Sequence, residues 1–186
     1  SIEGKRAMPA SKPPYPAVQG LWDKPTSVNN VETLFNIPLI IQNGPEWFLK
    51  SGKEGSRGTK LFTLSGKVKR KGTIEVPMGM SFRDIVEKIG GGMLTEHAFK
   101  AIVLGINSGS YILEETLDVG VDFEDLSNIG SALGSGAFVV VDETSCMVDM
   151  ARYFTQFFQK ESCGKCIPCR EGTARMLEII DRVTKR

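Results

Sequence analysis

The sequence has one histidine, His97, and only four cysteines, three of which, Cys163, Cys166 and Cys169, fall within seven residues. Cysteines bunched in this way are not the spread-out framework of a small secreted disulfide scaffold. A lone histidine in another segment gives zinc neither a second C-x-x-C pair nor imidazoles beside the first. Charge of one sign is also missing: 23 Lys and Arg face 22 Asp and Glu, a formal net charge of +1. That removes the basic surplus of a nucleic-acid or anionic-membrane binder. No run is apolar for long enough to cross a bilayer; the greasiest stretches, 37–41 and 137–141, read as buried pieces of strand or helix. There is no internal repeat and no low-complexity tract. The opening Ser1-Ile-Glu-Gly-Lys-Arg lacks the apolar core of a signal peptide. Vicinal C-x-x-C-x-x-C spacing points to metal in a reducing compartment, so a cytoplasmic location is expected, or a peripheral one on the cytoplasmic face of a membrane complex. What remains is ordinary: 41% hydrophobic and 24% charged residues over 186, enough for a core in one domain or two small ones.

Residues 1–25 carry Pro9, Pro13, Pro14, Pro16, Gly20 and Pro25 and read as an extended segment with little regular structure. Asn29 or Asn30 can cap a short helix through Phe35, which Pro38 interrupts or restarts. Residues 51–58, SGKEGSRG, read as a polar linker at a domain boundary. From 60 to 142 the pattern is mixed: strands at 61–66 and 73–76, a basic turn at 67–72, then a helix capped by Ser81 and ended by Gly90, Gly91 and Gly92. Further strands fall at 100–104 and 137–142. A hairpin, a helix and more strands in under a hundred residues suggest a small β-grasp domain. After 145, Met147, Val148, Ala151, Phe154, Phe157 and Phe158 recur at helical spacing. The loop 161–169 follows, and a second helix carries Thr173, Met176, Leu177, Ile180 and Val183. The absence of a C-cap signal at the end and of any element at the start suggests a piece of a longer chain.

The strongest chemical signal is Ser162-Cys-Gly-Lys-Cys-Ile-Pro-Cys-Arg170. Such x2-x2 spacing lets one tight loop aim three thiolates at one face of a [4Fe-4S] cubane. Gly164 lets backbone approach the sulfide, Pro168 stiffens the loop, and Lys165 and Arg170 offset the cluster's negative charge. The next helix, starting near Arg170, adds its N-terminal amides. A structural zinc site is the competing reading. A cubane needs a fourth ligand. Cys146 reads as a small buried hydrophobe, so that ligand is expected beyond residue 186. A weaker signal is Thr26-Ser-Val-Asn29-Asn30-Val-Glu32-Thr33, whose mixed donors and acceptors suit a flavin edge or ribityl phosphate but also suit plain helix capping. The glycine loop 130–136 precedes a strand, so it reads as a turn and not a phosphate cradle. The 67–71 run reads as a solvated hairpin tip and His97 as a surface residue. No convincing catalytic acid, base or nucleophile is present.

Together, SIEGKR and the proline run, KPTSVNNVETLFNIPLII, GTKLFTLSGKVKRKGTIEVPMGMSFRDIV and DETSCMVDMARYFTQFFQKESCGKCIPCREGT cover nearly the whole chain. On these stretches the chain resembles the NADH-oxidising flavoprotein subunit of respiratory complex I. Its relatives in NAD(P)-reducing and bifurcating hydrogenases and NAD-dependent formate dehydrogenases are similar. The resemblance implies an α+β chain in three parts: 1–50 as the tail of an α/β FMN- and NADH-binding domain, 51–144 as a ubiquitin-like SLBB β-grasp domain, and 145–186 as the start of a helical iron–sulfur domain. It implies FMN contacts from Asn29, Asn30 and Thr33. It assigns three cluster ligands, Cys163, Cys166 and Cys169, with the fourth past residue 186 and none from Cys146. It further implies NADH dehydrogenase activity in the full-length subunit, with NAD(H), FMN and [4Fe-4S] as cofactors. A multi-subunit complex is the implied setting, with a 2Fe-2S thioredoxin-like subunit as partner. The family's glycine-rich FMN loop and acidic NADH motif would lie upstream of Ser1, and Ala10 and Ala7 stand where arginine and glycine are usual. This stretch alone is therefore expected to be inactive. A β-grasp module that binds a ligand or partner is the alternative from another class.

Overall fold

The computed structural model describes residues 2–106 and 110–185. Ser1, the first residue of the SIEGKR stretch, lies outside them. In chain order the helices are α1 (Val31–Asn43), α2 (Pro45–Leu49), α3 (Phe82–Asp84, continued by a π-helical turn over Ile85–Ile89), α4 (Phe123–Asn128), α5 (Met147–Glu161) and α6 (Ile167–Thr184). The strands are β1 (Gly52–Lys53), β2 (Ser56–Arg57), β3 (Thr59–Gly66), β4 (Gly72–Pro77), β5 (Phe99–Leu104), β6 (Tyr111–Ile112) and β7 (Ala137–Asp142). The chain divides into two compact units, Pro45–Phe154 and the pair of stretches Ser1–Gly44 and Thr155–Arg186.

The unit Pro45–Phe154 is built on a five-stranded mixed sheet in the order β4-β3-β7-β5-β6. β3 and β4 form an antiparallel hairpin, β7 runs parallel to β3, and β5 is antiparallel to β7. A first hairpin whose leading strand is flanked by the parallel last strand is the β-grasp arrangement. The chain is α+β, with this β-grasp domain followed by a helical region. Side chains alternate across the sheet. Phe62 and Leu64 of β3, Ile102 and Leu104 of β5, and Phe138 and Val140 of β7 face one side, where Phe82, Ile85 and Val86 of α3 cover them. Phe138 meets Phe62 edge-on with ring centroids 6.0 Å apart and lies 5.8 Å from Phe82. Each such fully buried large side chain contributes roughly 1.5–3 kcal/mol of transfer free energy. The opposite face is smaller: Ala101, Val103 and Val141 pack with Met150 and Phe154 of α5.

Several local details depart from the sequence reading. The 51–58 stretch is not a bare linker but the two-residue ladder β1–β2, and Lys53 reaches two carboxylates, Asp122 and Asp125, each at 2.6 Å. Asp122 is fully buried and caps α4 through the amides of Glu124 and Asp125, both at 2.9 Å. Burial opposes its ionisation, but hydrogen bonds from Lys53 and the cap outweigh that, so its pKa lies below the usual carboxylate value. The same contacts, Asp122 first, push Lys53 up to about 12. The basic turn after β3 is no solvated tip throughout, because Val68 is fully buried and the amides of Lys69 and Arg70 bond the carbonyls of Gly92 and Gly90. In α1, Asn30 is the cap, but Pro38 sits inside a continuous helix. Its missing N–H removes one bond of the ladder without ending it. Stretch 37–41 is not buried either: Ile41 is 79% exposed. His97 is exposed at the surface, 3.3 Å from Glu143.

Candidate iron–sulfur loop

α5 ends at Glu161, Ser162 to Lys165 form a loop, and Cys166 is the N-cap of α6. The helix begins earlier than the sequence suggests. Pro168, a loop stiffener on sequence grounds, lies in the first turn, where its fixed φ favours the helix and its missing N–H would have had no intrahelical partner. The amide of Arg170 closes the first turn on the carbonyl of Cys166 at 3.0 Å. Cys169 is therefore on the helix, not in the loop, and stands one turn on from the N-cap Cys166. Cys163 precedes Gly164, whose φ of +75° turns the backbone sharply. A Cβ at Gly164 would meet only Arg170 Cδ at 3.9 Å, so positive φ, not crowding, calls for glycine there.

All three thiols are exposed and unbridged, as is Cys146, which is thus not the buried hydrophobe its helix position suggests. Among the described residues, no three His, Cys, Asp or Glu side chains converge as the ligands of one ion would. A cubane takes each thiolate on a different iron, so its ligands stand wider apart than those of a single ion. The donor chemistry, three thiols in one loop with no imidazole or carboxylate among them, fits such a cluster.

Three neighbours of the cysteines make contacts that the sequence reading misses. Ser162 Oγ lies 3.4 Å from Cys169 Sγ and accepts a hydrogen bond from the Gly164 amide at 3.2 Å. A serine two residues before a turning glycine is the signal that could have found it. Arg170 donates Nη1 to the Gly164 carbonyl at 2.6 Å, and its Nε pairs with Glu171 at 3.0 Å. Lys165 Nζ donates to the carbonyl of Pro9. The two cations expected to offset cluster charge are thus committed to main-chain oxygens.

The residues carried over for FMN sit together at the start of α1. Asn30 Oδ1 accepts from the Glu32 amide at 2.8 Å, Asn29 Nδ2 donates to Ser27 Oγ at 2.8 Å, and Thr33 is exposed in the first turn.

Residues 149–186, which include the whole cysteine loop, match the NADH-ubiquinone oxidoreductase-F iron-sulfur binding region, and residues 61–107 match the SLBB domain. Over 183 residues, 98% of this chain, it is 48% identical to the second F subunit of NADH-quinone oxidoreductase from Rhizobium meliloti (strain 1021). Along nearly its whole length the chain is thus similar to F subunits of NADH-quinone oxidoreductases. It is also 44% identical over 97% of its length to the F subunit of NADH-quinone oxidoreductase from Escherichia coli (strain K12). It is 52% identical over its full length to the HndC subunit of an NADP-reducing hydrogenase from Solidesulfovibrio fructosivorans. It spans 44%, 40% and 38% of those three relatives, respectively, so each is more than twice as long. A crystal structure of NAD+-reducing [NiFe]-hydrogenase superposes on 99% of this chain with a TM-score of 0.86 at 34% identity, and the match covers 31% of that hydrogenase chain. These relatives are named as subunits of larger oxidoreductases. No helix among the described residues is long and apolar enough to cross a membrane.

Proposed function

We propose that this chain is the electron-transfer part of an NADH-oxidising flavoprotein subunit, with Cys163, Cys166 and Cys169 as three ligands of a [4Fe-4S] cluster and the fourth beyond residue 186. When bound in the full-length protein, FMN would accept a hydride from NADH and the cluster would take the electrons on one at a time. The residues here bind and position. Cys166 at the N-cap and Cys169 in the first turn of α6 would supply two ligands, and Cys163, just ahead of the Gly164 turn, the third. The first amides of α6, which have no intrahelical partner, would donate to the anionic group. Asn29, Asn30 and Thr33 would meet FMN from the start of α1, with the Asn30 cap fixing that end of the helix. The domain limits 1–50, 51–144 and 145–186 belong to the same reading, as does docking to a 2Fe-2S thioredoxin-like subunit in a peripheral, cytoplasm-facing assembly.

The observation that carries the reading is the three exposed thiols on one loop and helix start, inside the stretch that matches the iron–sulfur binding region. In full-length protein reconstituted anaerobically, Cys166→Ala should abolish the cluster's visible absorbance and its paramagnetic signal on reduction. A signal that survives the substitution contradicts the assignment. The 52% identity to an NADP-reducing hydrogenase subunit favours a second setting, in which electrons run from a hydrogenase to NAD(P)+. Comparing NADH and NADPH as donors to an artificial acceptor separates the two.

A further inference from the structure

The cations beside the cysteines invite an electrostatic role, yet their contacts are of another kind. Arg170 spans the loop: its Nη1 holds the Gly164 carbonyl at 2.6 Å, so the segment from 164 to 170, with Cys166 and Cys169 inside it, is closed by one side chain. Its Nε is paired with Glu171 at 3.0 Å. Lys165, between Cys163 and Cys166, is fastened to the carbonyl of Pro9, 156 positions away. Hydrogen bonds hold the chain on either side of the Pro9 segment. Trp22 N donates to Glu3 Oε1 at 2.5 Å, and Thr26 closes on Pro16 O at 2.8 Å. Ser162 completes the frame through Gly164 N and Cys169 Sγ.

We infer that Arg170 and Lys165 are positioning residues that set the shape of the cysteine loop before any cluster is present, Arg170 by clamping Gly164 and Lys165 by fastening the loop to the Pro9 segment. The inference rests on the cluster reading for its purpose but not for its geometry. A guanidinium can hold a carbonyl and a carboxylate at once, whereas an ammonium keeps the charge without the fork. Charge and shape therefore separate in the variants. Arg170→Lys keeps the charge and loses the clamp, and Arg170→Gln loses both. Lys165→Met loses the fastening, and Lys165→Arg keeps a donor.

The test uses full-length protein, first without cluster and then reconstituted. Hydrogen exchange in the apo protein reads the loop directly. Arg170→Lys and Arg170→Gln should both speed exchange across 161–169 by roughly tenfold, the effect of one charge-assisted hydrogen bond. Lys165→Met should loosen the 5–12 segment as well, with rescue by Lys165→Arg. In reconstituted protein both Arg170 variants should lose the cluster to a chelator faster. If Arg170→Lys behaves like the parent while Arg170→Gln does not, charge and not shape is the role, and the inference fails. It fails equally if no variant alters exchange. Should the parent hold no cluster, the apo arm still decides the inference, and only the cluster reading falls.

Discussion

The two units are built on opposite terms. In Pro45–Phe154 the sheet and α3 enclose a core in which Phe62, Phe82, Ile85, Ile102, Leu104 and Phe138 are all fully buried. In Ser1–Gly44 with Thr155–Arg186 neither α1 nor α6 buries a residue, and among the described residues Thr155 is the one buried side chain. Phe35 of α1 is 75% exposed. Every residue proposed for a cofactor lies in the second group and none in the first. On the proposed assignment, stability and chemistry fall to different stretches. A core needs apolar contact on all sides, whereas a redox loop needs thiols within reach of an inorganic group.

The contrast breaks if core substitutions in Pro45–Phe154 prove mild. Phe138→Ala removes the ring that touches both Phe62 and Phe82, and should cost about 3–5 kcal/mol in chemical denaturation. Gly66→Ala should cost about 2–3 kcal/mol. There φ is +87°, and an added Cβ would run into the carbonyl of Val140 on the neighbouring strand.

Two buried carboxylates sharpen the comparison through pH. Asp142 is fully buried and accepts from Thr144 Oγ1 at 2.6 Å, with Lys67 Nζ 3.6 Å away. The Thr144 hydroxyl chiefly lowers its pKa, burial works against this, and Lys67 adds to the lowering. Asp122 is also depressed, with burial outweighed by Lys53. A depressed carboxylate supplies stability that is present above its unfolded value, about 3.9, and lost as pH falls through the folded value. The denaturation midpoint should therefore fall on the acid side of about pH 4, and Asp142→Asn should flatten that limb. Lys53 works in the opposite sense. Its raised pKa gives stability that is complete below about 10.4, the unfolded value, and is lost only as pH rises through about 12. Lys53→Met, which leaves Asp122 buried without its cation, should lower the melting temperature at neutral pH. The smallest effect belongs to Cys146→Ser. With an exposed side chain outside the cysteine loop, it should change stability by no more than about 0.5 kcal/mol and leave the cluster unaltered.

Much of the β-grasp unit is legible in the sequence because its strands are short apolar runs set between turns. Such runs mark β3, β5 and β7, the last two buried from both faces, and Ser81 with three following glycines brackets α3. The hairpin β1–β2 and strand β6 escape because two residues carry no period. Leu117, Val121, Leu126 and Leu133 join the core from turns and one short helix, so their burial follows from tertiary packing alone. In the cysteine loop, spacing brings three thiols into one short stretch but sets the start of α6 too late. Pro168 passes for a loop residue there, although its ring suits a helix's first turn. The tasks of Arg170 and Lys165 stay hidden because a charge in a sequence does not say which carbonyl it will find.

Iron, zinc and inorganic sulfide counted in anaerobically reconstituted full-length protein, by elemental analysis with native mass spectrometry, test the account most directly. We expect iron and sulfide in equal numbers, as in a cubane, and both lost together in the Cys163, Cys166 and Cys169 alanine variants. Stoichiometric zinc without sulfide, displaced by the same substitutions, would contradict it.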